Sequence, residues 1–469
     1  MGKAARLFNG TAEQTLYGRV TPTAEQREVL QTQWNALADH LKEQLAAWGY
    51  PISTWLQGSY KYGTLIKPVH KGEEYDVDVG VYFEWNPGDV DISPTPAQLR
   101  HWVQRELVEY RQSNPDVERV EEPPKERCSR VTYQRQFHID TPTYHLNRGT
   151  DERRLACLSG KWENSDPKAL YKWFKNAIGS DNREQLRRLV RYLKGWAAVA
   201  FEEAPASRPS SILLTVLTTE AFSEMWGARL LGIADDDALV AVIESMYVRM
   251  HKDRRVRNPV DRDEDLNRIS DEAWDAFLTR LTVLRDAAQM SSDAEDEAGA
   301  ALAWAGAFSF LMPLPETDEL EVVEHLSGRA LMQIPEIQVQ VFDSERKSLL
   351  ATHMNEVPAV GRNQALTFTI VNRQVIPDFA AIEWTVRNDG TEADYLGDLG
   401  HASGGIGMFS VDERTAYVGK HYMDCIIRCN GSVFSARRIP VFISADVRAL
   451  AKPVQRNWTR LRTRRGRRR

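Results

Sequence analysis

The segment that decides the fold runs from Gln57 to Glu84 and reads QGSYKYGTLIKPVHKGEEYDVDVGVYFE. Gly58 and Ser59 directly follow a predicted strand, Ile52–Gln57, and are followed by Gly63-Thr64. Glycine lets a backbone approach a phosphate closely, and amide and hydroxyl groups can donate hydrogen bonds to its oxygens. The pattern therefore predicts a phosphate-binding turn at Gly58 and Ser59.

Two aspartates, Asp76 and Asp78, begin the next predicted strand, Asp76–Glu84. Residues i and i+2 of a strand share a face, so both carboxylates project to the same side. The alternating apolar residues of this strand are expected to point into the core: Val77, Val79, Val81 and Phe83. Two adjacent carboxylates repel each other, so the pair indicates a bound cation.

A third carboxylate, Asp140, lies on the polar face of another alternating strand, Gln136–His145. Oxygen ligands of this kind suit Mg²⁺ or Mn²⁺ better than zinc. Three carboxylates can hold two such ions, which together stabilise an in-line phosphoryl displacement. The sequence therefore predicts a site for two Mg²⁺ or Mn²⁺ ions at Asp76, Asp78 and Asp140.

The order GSxxxGT, DxD and a later strand Asp resembles the DNA polymerase β-like nucleotidyltransferases. More narrowly, it is similar to the bacterial relatives of cyclic GMP–AMP synthase and oligoadenylate synthase, the CD-NTase family. Arg191–Trp196 resembles the helix of that family that carries a Lys before a Trp, and Arg208–Ser211 resembles its Pro-Ser helix start. The resemblance covers residues 20–315, and residues 334–446 resemble a C-terminal nucleotide-sensor domain.

The resemblance implies a role for seven residues. It assigns catalysis and metal binding to three carboxylates: Asp76, Asp78 and Asp140. It assigns nucleotide binding to four residues: Gly58, Ser59, Lys194 and Ser211. Lys194 is expected to meet the β- and γ-phosphates, and Ser211 to donate to the same triphosphate from a helix N-terminus, where the dipole favours anions. Ile212 stands where relatives often place an aromatic that stacks on the base.

The resemblance implies a template-independent nucleotidyltransferase. It would join NTPs, or dNTPs, into a cyclic oligonucleotide second messenger that activates a separate effector protein in antiphage defence. A linear oligonucleotide remains an alternative, because ring closure and linear extension use the same attack by a 3′-hydroxyl. Transfer of NMP to a protein or RNA acceptor and a non-catalytic nucleotide sensor are two further alternatives.

The pattern along the chain predicts an α+β protein. Residues 1–165 are expected to form a polymerase β-like nucleotidyltransferase core with a mixed sheet and an N-terminal helix. Apolar residues recur at helical spacing in residues 166–315, which predicts a helical lobe. The resemblance implies that this lobe completes the nucleotide cleft. Period-two alternation predicts a C-terminal antiparallel β-sandwich at 334–446. Residues 455–469 read as a basic disordered tail.

Composition supports a globular protein: of 469 residues, 42% are hydrophobic and 27% are charged. The four cysteines are scattered and are expected to be reduced thiols in a cytoplasmic protein. No secretory signal is seen, and the apolar run Ala298–Pro315 is interpreted as a buried helix rather than a membrane span. The net charge of −6 combines +8 in residues 455–469 with −14 elsewhere. This distribution does not favour sequence-specific DNA binding.

Overall fold

The computed structural model describes residues 2–86, 88, 93–134, 137–315 and 334–445. Its N-terminal part contains a mixed sheet of seven described strands in the order β1-β2-β5-β4-β3, with β6 and β7 continuing from β5. The strands are β1 Ile52–Gln57, β2 Tyr75–Glu84, β3 Val117–Val120, β4 Cys128–Tyr133, β5 Phe137–Asn147, β6 Glu152–Ala156 and β7 Trp162–Asn164. Only the pairing of β2 with β5 is parallel within this described sheet.

The register of the central strands decides which side chains meet. Asp78 of β2 pairs with Gln57 of β1 on one side and with Asp140 of β5 on the other. Asp76 pairs with His138 in the same way. The apolar residues predicted to face the core do so, since the side chains of Val77, Val79, Val81 and Phe83 are all fully buried.

Helices surround this sheet and form a separate lobe after it. The helices are α1 Ala5–Asn9, α2 Leu16–Val20, α3 Ala24–Leu45, α4 Gly58–Tyr62, α5 Pro96–Ser113, α6 Pro167–Ala177, α7 Ser180–Ala200, α8 Ser211–Glu224, α9 Trp226–Leu230, α10 Asp235–Lys252, α11 Asp271–Asp293 and α12 Glu297–Phe308. Thr23 and Gln26 form a capping box that starts α3. A short 3₁₀ turn continues α3 to Gly49, whose φ of 86° suits glycine and ends the helix.

The helical lobe is built around α7, whose predicted apolar stripe is buried as expected. Leu186, Leu189, Leu193 and Trp196 lie in the core of the lobe and are at most 1% exposed. The predicted helix within Ala298–Pro315 is also buried, with Trp304 fully enclosed. No helix among the described residues combines the length and apolarity needed to cross a membrane.

The C-terminal part consists of two sheets packed face to face, with one short helix, α13 Thr391–Tyr395. In residues 334–445 one sheet has the strand order β10-β16-β15-β12-β13 and the other β14-β11-β8-β9. The strands are β8 Ile337–Phe342, β9 Leu349–Met354, β10 Val357–Gly361, β11 Ala365–Ile370, β12 Ala381–Arg387, β13 Gly400–Ile406, β14 Ser410–Arg414, β15 Gly419–Cys429 and β16 Ser432–Ser444. The sheets are antiparallel as predicted, except that β10 pairs with β16 in parallel.

The sandwich packs directly on the helical lobe. Leu399 and Ile426 belong to the apolar core of that lobe. Arg387 donates to the carbonyl oxygen of Ser309 at 2.8 Å, and Arg428 donates to that of Leu302 at 3.2 Å. The sandwich therefore contacts carbonyl oxygens within α12 and just beyond its end.

The α+β architecture was predictable from the sequence, and the strands that carry the aspartates lie within one residue of their predicted starts. The short strands β6 and β7 and the helix α4 were not predicted. The domain boundaries remain predictions, and the basic tail at 455–469 lies outside the described residues.

Candidate active site

Gly58 brings the start of α4 against β2. Its φ is +63°, and a β-carbon at this position would lie only 1.8 Å from Oδ2 of Asp78. A larger residue would therefore displace the Asp78 carboxylate. Glycine is required here by both the backbone conformation and the close approach.

The two aspartates of β2 differ in environment although they share a face. Asp76 keeps 54% of its side chain exposed. Partial loss of water around its carboxyl raises the pKa of Asp76. The hydrogen bond to His138 and the positive charge of that ring have a larger, opposite effect, so the pKa is lowered overall. Burial raises the pKa of Asp78 well above its usual value, and the negative charges of Asp76 and Asp140 add to this effect. Asp78 therefore binds a proton more readily than an isolated aspartate, and a bound cation would oppose this effect.

Asp140 is held by an arginine from the neighbouring strand. Arg130 of β4 pairs with it in register and donates through Nε to Oδ1 at 2.6 Å and through a terminal nitrogen to Oδ2 at 2.8 Å. This two-point contact fixes the plane of the carboxylate. Each carboxylate oxygen has two lone pairs, so the contact leaves one on each oxygen for another partner.

His138 links Asp76 to a further acid. Its Nε2 lies 2.9 Å from Oδ1 of Asp76, and its Nδ1 lies 2.8 Å from Oε2 of Glu74. Burial lowers the pKa of His138, but its hydrogen bond to Asp76 and the negative charge of that carboxylate outweigh burial and raise the pKa overall.

Three of these side chains form a group that could hold a metal ion. One donor atom from each of Asp76, His138 and Asp140 lies within 4.8 Å of the other two, and Asp78 is not a member of this group. Carboxylates with an imidazole are a donor set that divalent cations accept. The residues present therefore fit a divalent metal, as the sequence predicted for Asp76 and Asp140.

Lys194 lies beneath the loop that follows α4. Its Nζ donates to the carbonyl oxygen of Thr64 at 3.2 Å, and the N–H of Thr64 donates to the carbonyl oxygen of Ser59 at 2.9 Å. Burial, together with the positive charge of Arg191, lowers the pKa of Lys194 to about 8. The structure thus connects two predicted nucleotide-binding residues, Ser59 and Lys194, through Thr64.

Two arginines on the same face of α7 hold the same loop. Arg187 donates through Nε to the carbonyl oxygen of Tyr62 at 2.9 Å, and Arg191 donates to that of Leu65 at 3.2 Å. These arginines and Lys194 recur at helical spacing, so they project from one face of α7. The three cations fix the position of the loop relative to the helical lobe.

A cavity of about 600 Å³ opens between the sheet and the helical lobe, and its lining includes Gly58, Asp78 and Ile212. This volume is in the range of small-molecule sites. Ser211 is the first residue of α8, next to Ile212, and its side chain is exposed. Lys194, Ser59 and Ser211 are not among the residues that line the cavity. The roles of all seven predicted site residues remain predictions.

Sequence reasoning missed three side chains around the carboxylates. His138 stands two residues before Asp140 on the same strand, so same-face spacing could have identified it. Glu74 stands two residues before Asp76, so the same spacing could have identified it. Arg130 could not be found in this way, because its contact with Asp140 depends on the pairing of β4 with β5.

Comparison with protein families gives two matches. Residues 52–144 match the nucleotidyltransferase domain of the DncV-like cyclic GMP-AMP synthases, and residues 321–444 match the adenylyl/guanylyl and SMODS C-terminal sensor domain. The first match contains the strands that carry all three predicted carboxylates. The second contains the whole sandwich.

Relatives of known activity extend these matches. A cyclic GMP-AMP synthase of Escherichia albertii is 27% identical over 428 residues, which cover 90% of this chain and 92% of the relative. A c-di-GMP synthase of Roseivirga ehrenbergii is 26% identical over 253 residues, covering 46% of this chain and 63% of the relative. These findings confirm the predicted resemblance to the bacterial CD-NTases and the predicted nucleotidyltransferase activity.

Solved structures show the same fold. The Vibrio cholerae DncV cyclic AMP-GMP synthase, in complex with a linear intermediate, superimposes with a TM-score of 0.54 at 18% identity. The match covers 66% of this chain and 96% of that one. Escherichia coli DncV bound to 3′-deoxy GTP gives the same TM-score, identity and coverage.

Proposed function

We infer that this chain, which combines a DncV-like nucleotidyltransferase domain with a C-terminal sensor domain, joins NTPs into a cyclic oligonucleotide second messenger without a template. The observation that carries the proposal is the pairing of Asp78 with Asp140 in adjacent strands, next to Asp76. Of these three carboxylates, Asp78 lines the cavity, beside Gly58. This arrangement concentrates negative charge where a nucleotide and its cations can enter. The names of the relatives make GTP and ATP the first substrates to test.

We propose that Asp76, Asp78 and Asp140 hold two Mg²⁺ or Mn²⁺ ions. Such ions, when bound, neutralise the triphosphate and increase the acidity of the attacking 3′-hydroxyl. Arg130 keeps Asp140 in one orientation, and Gly58 leaves room for the Asp78 carboxylate. Both residues keep the carboxylates in position before the substrate binds. Such positioning of charge is the main contribution that a protein makes to phosphoryl transfer.

We propose that the loop after α4 receives the donor triphosphate. Two side chains of α7 hold its backbone: Lys194 donates to Thr64, and Arg187 donates to Tyr62. The charge of Lys194 also lies close enough to influence the pKa of Asp78. In this proposal Ser59 and Ser211 donate to phosphate oxygens, and Lys194 supplies positive charge.

The biological proposal follows from the domain pair. A nucleotidyltransferase fused to a sensor domain can change its output when the sensor binds a ligand, because the two parts share an interface. We propose that the product activates a separate effector protein and that the system serves antiphage defence. Activity that appears only during phage infection of cells carrying the gene would support this role.

The test is incubation of the full chain with labelled ATP and GTP, singly and together, with Mg²⁺ or Mn²⁺. Products are then treated with phosphatase and separated by chromatography. Phosphatase removes the terminal phosphates of a linear product and changes its elution, although the phosphodiester between its nucleosides resists the enzyme. A cyclic product has no terminal phosphate, so its elution does not change. A phosphatase-resistant product supports the proposal; a purely sensitive ladder shows linear synthesis, and the absence of any product overturns the proposal.

A further inference from the structure

We propose that His138 is a nitrogen ligand of the catalytic metal site and makes that site bind Mn²⁺ in preference to Mg²⁺. The inference rests on the proposed function only in assuming that Asp76 and Asp140 hold a divalent cation. It adds a ligand that the carboxylate motif does not contain. It also predicts a metal preference that a site made of oxygen ligands alone would not have.

The position of His138 on the sheet carries the first part of the argument. It stands two residues before Asp140 on β5, so both side chains leave the same face of the strand. It also pairs directly with Asp76 across the parallel contact of β2 with β5. The strand geometry therefore places its imidazole beside Asp76 and on the same face of the sheet as Asp140.

The distances agree with a coordination sphere. In a six-coordinate site with bonds of about 2.1 Å, neighbouring ligand atoms lie about 3 Å apart and opposite ones about 4.2 Å apart. The Nε2 of His138 lies 2.9 Å from Oδ1 of Asp76. The donor atoms of Asp76, His138 and Asp140 all lie within 4.8 Å of one another. A small contraction is enough for all three to reach one ion.

Glu74 supplies the support that metal-binding histidines usually have. Its Oε2 lies 2.8 Å from Nδ1 of His138. A carboxylate in this position keeps the proton on Nδ1 and fixes the plane of the ring. A metal that displaces the proton between Nε2 and Asp76 would then meet the lone pair of Nε2. The Nε2 atom is the one that faces Asp76. Glu74, His138 and Asp76 are therefore arranged like the supporting carboxylate, the histidine ligand and a neighbouring ligand of a metal site.

The chemistry of the ligand explains the metal preference. Mg²⁺ binds oxygen and gives up its water reluctantly, whereas imidazole suits transition metals. A site that offers two carboxylates and one imidazole can use all three for Mn²⁺ but only the oxygens for Mg²⁺. Loss of the imidazole should therefore weaken Mn²⁺ binding and leave Mg²⁺ binding nearly unchanged.

The experiment measures metal binding to the full chain without nucleotide. Protein containing ¹⁵N-labelled histidine is loaded with Mn²⁺, and pulsed electron paramagnetic resonance detects nitrogen bound to the ion. Titrations give the affinities for Mn²⁺ and Mg²⁺. The variant His138→Asn keeps a hydrogen-bonding amide without the imidazole, and His101→Asn, on the exposed side of α5, is the matched control.

We expect a histidine nitrogen coupling in the unmodified protein and in His101→Asn, and its loss in His138→Asn. The Mn²⁺ affinity of His138→Asn should fall by about tenfold or more, as for other groups that support a metal, while the Mg²⁺ affinity changes less than twofold. Bound Mn²⁺ without nitrogen coupling in the unmodified protein overturns the inference, and that result does not depend on any variant. Equal loss of both affinities also overturns it, because it makes His138 a positioning residue for Asp76.

Nucleotide turnover, measured on the same samples, separates this inference from the proposed function. Turnover with Mg²⁺ but without nitrogen coupling to Mn²⁺ overturns the inference and supports the function. Nitrogen coupling without turnover of any NTP overturns the function and supports the inference.

Discussion

Two groups of charged side chains differ in which groups balance their charge. The carboxylate cluster lies in the N-terminal mixed sheet and comprises Asp76, Asp78 and Asp140. The arginine cluster lies where the sandwich meets the helical lobe and comprises Arg387, Asp424 and Arg438. One has an excess of negative charge and the other an excess of positive charge.

The positive charge of the arginine cluster is contacted by acceptor groups of the chain itself. Arg387 pairs with Asp424 at 2.5 Å, and both side chains are only 1% exposed. Other donors of the two arginines reach carbonyl oxygens of the helical lobe: Arg387 that of Ser309, and Arg438 those of Leu314 and Pro315. Arg438 also lies 3.5 Å from Asp424. Because Asp424 and these carbonyl oxygens surround both guanidinium groups, we interpret the cluster as structural.

The carboxylate cluster is satisfied only in part. Arg130 pairs with Asp140, and His138 contacts Asp76, but Asp78 faces the cavity beside two like charges. We propose that cations from outside the chain complete this cluster. We therefore interpret an excess of charge that opens to a cavity as functional, and one that carbonyl oxygens of the chain surround as structural.

The largest effect is expected from removing the carboxylate charge. Asp76→Asn combined with Asp78→Asn should lower nucleotide turnover by at least about a thousandfold, because loss of the metal clamp costs several kcal/mol of transition-state stabilisation. Without metal the melting temperature should change little, because the repulsion removed at Asp78 offsets the favourable contact of Asp76 with His138 that is lost. Turnover assays and thermal melts with and without Mg²⁺ measure both effects.

The control for this variant is Glu118→Gln, which removes an exposed carboxylate from β3 of the same sheet. It should leave turnover unchanged. If the double variant still turns over nucleotide within tenfold of the unmodified protein, the carboxylate cluster is not the catalytic site.

The arginine cluster should respond in stability rather than in chemistry. Asp424→Asn leaves Arg387 and Arg438 buried without their counter-ion, and such a loss typically costs about 3–5 kcal/mol of unfolding free energy. Denaturant unfolding followed by tryptophan fluorescence measures the loss. The matched variant Asp412→Asn removes an exposed partner of Arg346 and should cost less than about 1 kcal/mol. Equal effects of the two variants would contradict the structural interpretation.

A smaller effect is expected at Lys194, which connects the loop after α4 to α7. Lys194→Ala should weaken NTP binding by about 10- to 150-fold, corresponding to the 1.5–3 kcal/mol of a hydrogen bond to a charged group. Turnover should fall less than in the aspartate variant. Nucleotide titration of this variant and of Lys172→Ala, an exposed position on α6, provides the comparison. Unchanged NTP affinity with reduced stability would mean that Lys194 only supports Thr64.

Local spacing explains why much of the site was predictable. Asp76 and Asp78 lie two residues apart on one strand, and Gly58 and Ser59 directly follow another, so a short segment contains the pattern. The same face of β5 also contains His138 beside Asp140, but a single histidine carries little signal until its neighbours are known. The strands β6 and β7 were missed because they are short and their charged residues hide the alternation.

Contacts between distant segments explain what the sequence could not provide. Arg130 reaches Asp140 through strand pairing, and Arg387 reaches Ser309 across a domain interface. Neither distance follows from spacing along the chain. The family resemblance selected Lys194, but only the structure shows that its face of α7 holds the loop carrying Thr64.

The most direct test of the account is a crystal of the full chain grown with Mn²⁺ and a non-hydrolysable NTP. Anomalous scattering locates the ions without reference to any assumed role. We predict two Mn²⁺ peaks about 3.5–4 Å apart, the usual separation in two-metal sites, in contact with Asp76, Asp78 and Asp140. A nucleotide bound in the cavity with no Mn²⁺ at these carboxylates would contradict the account.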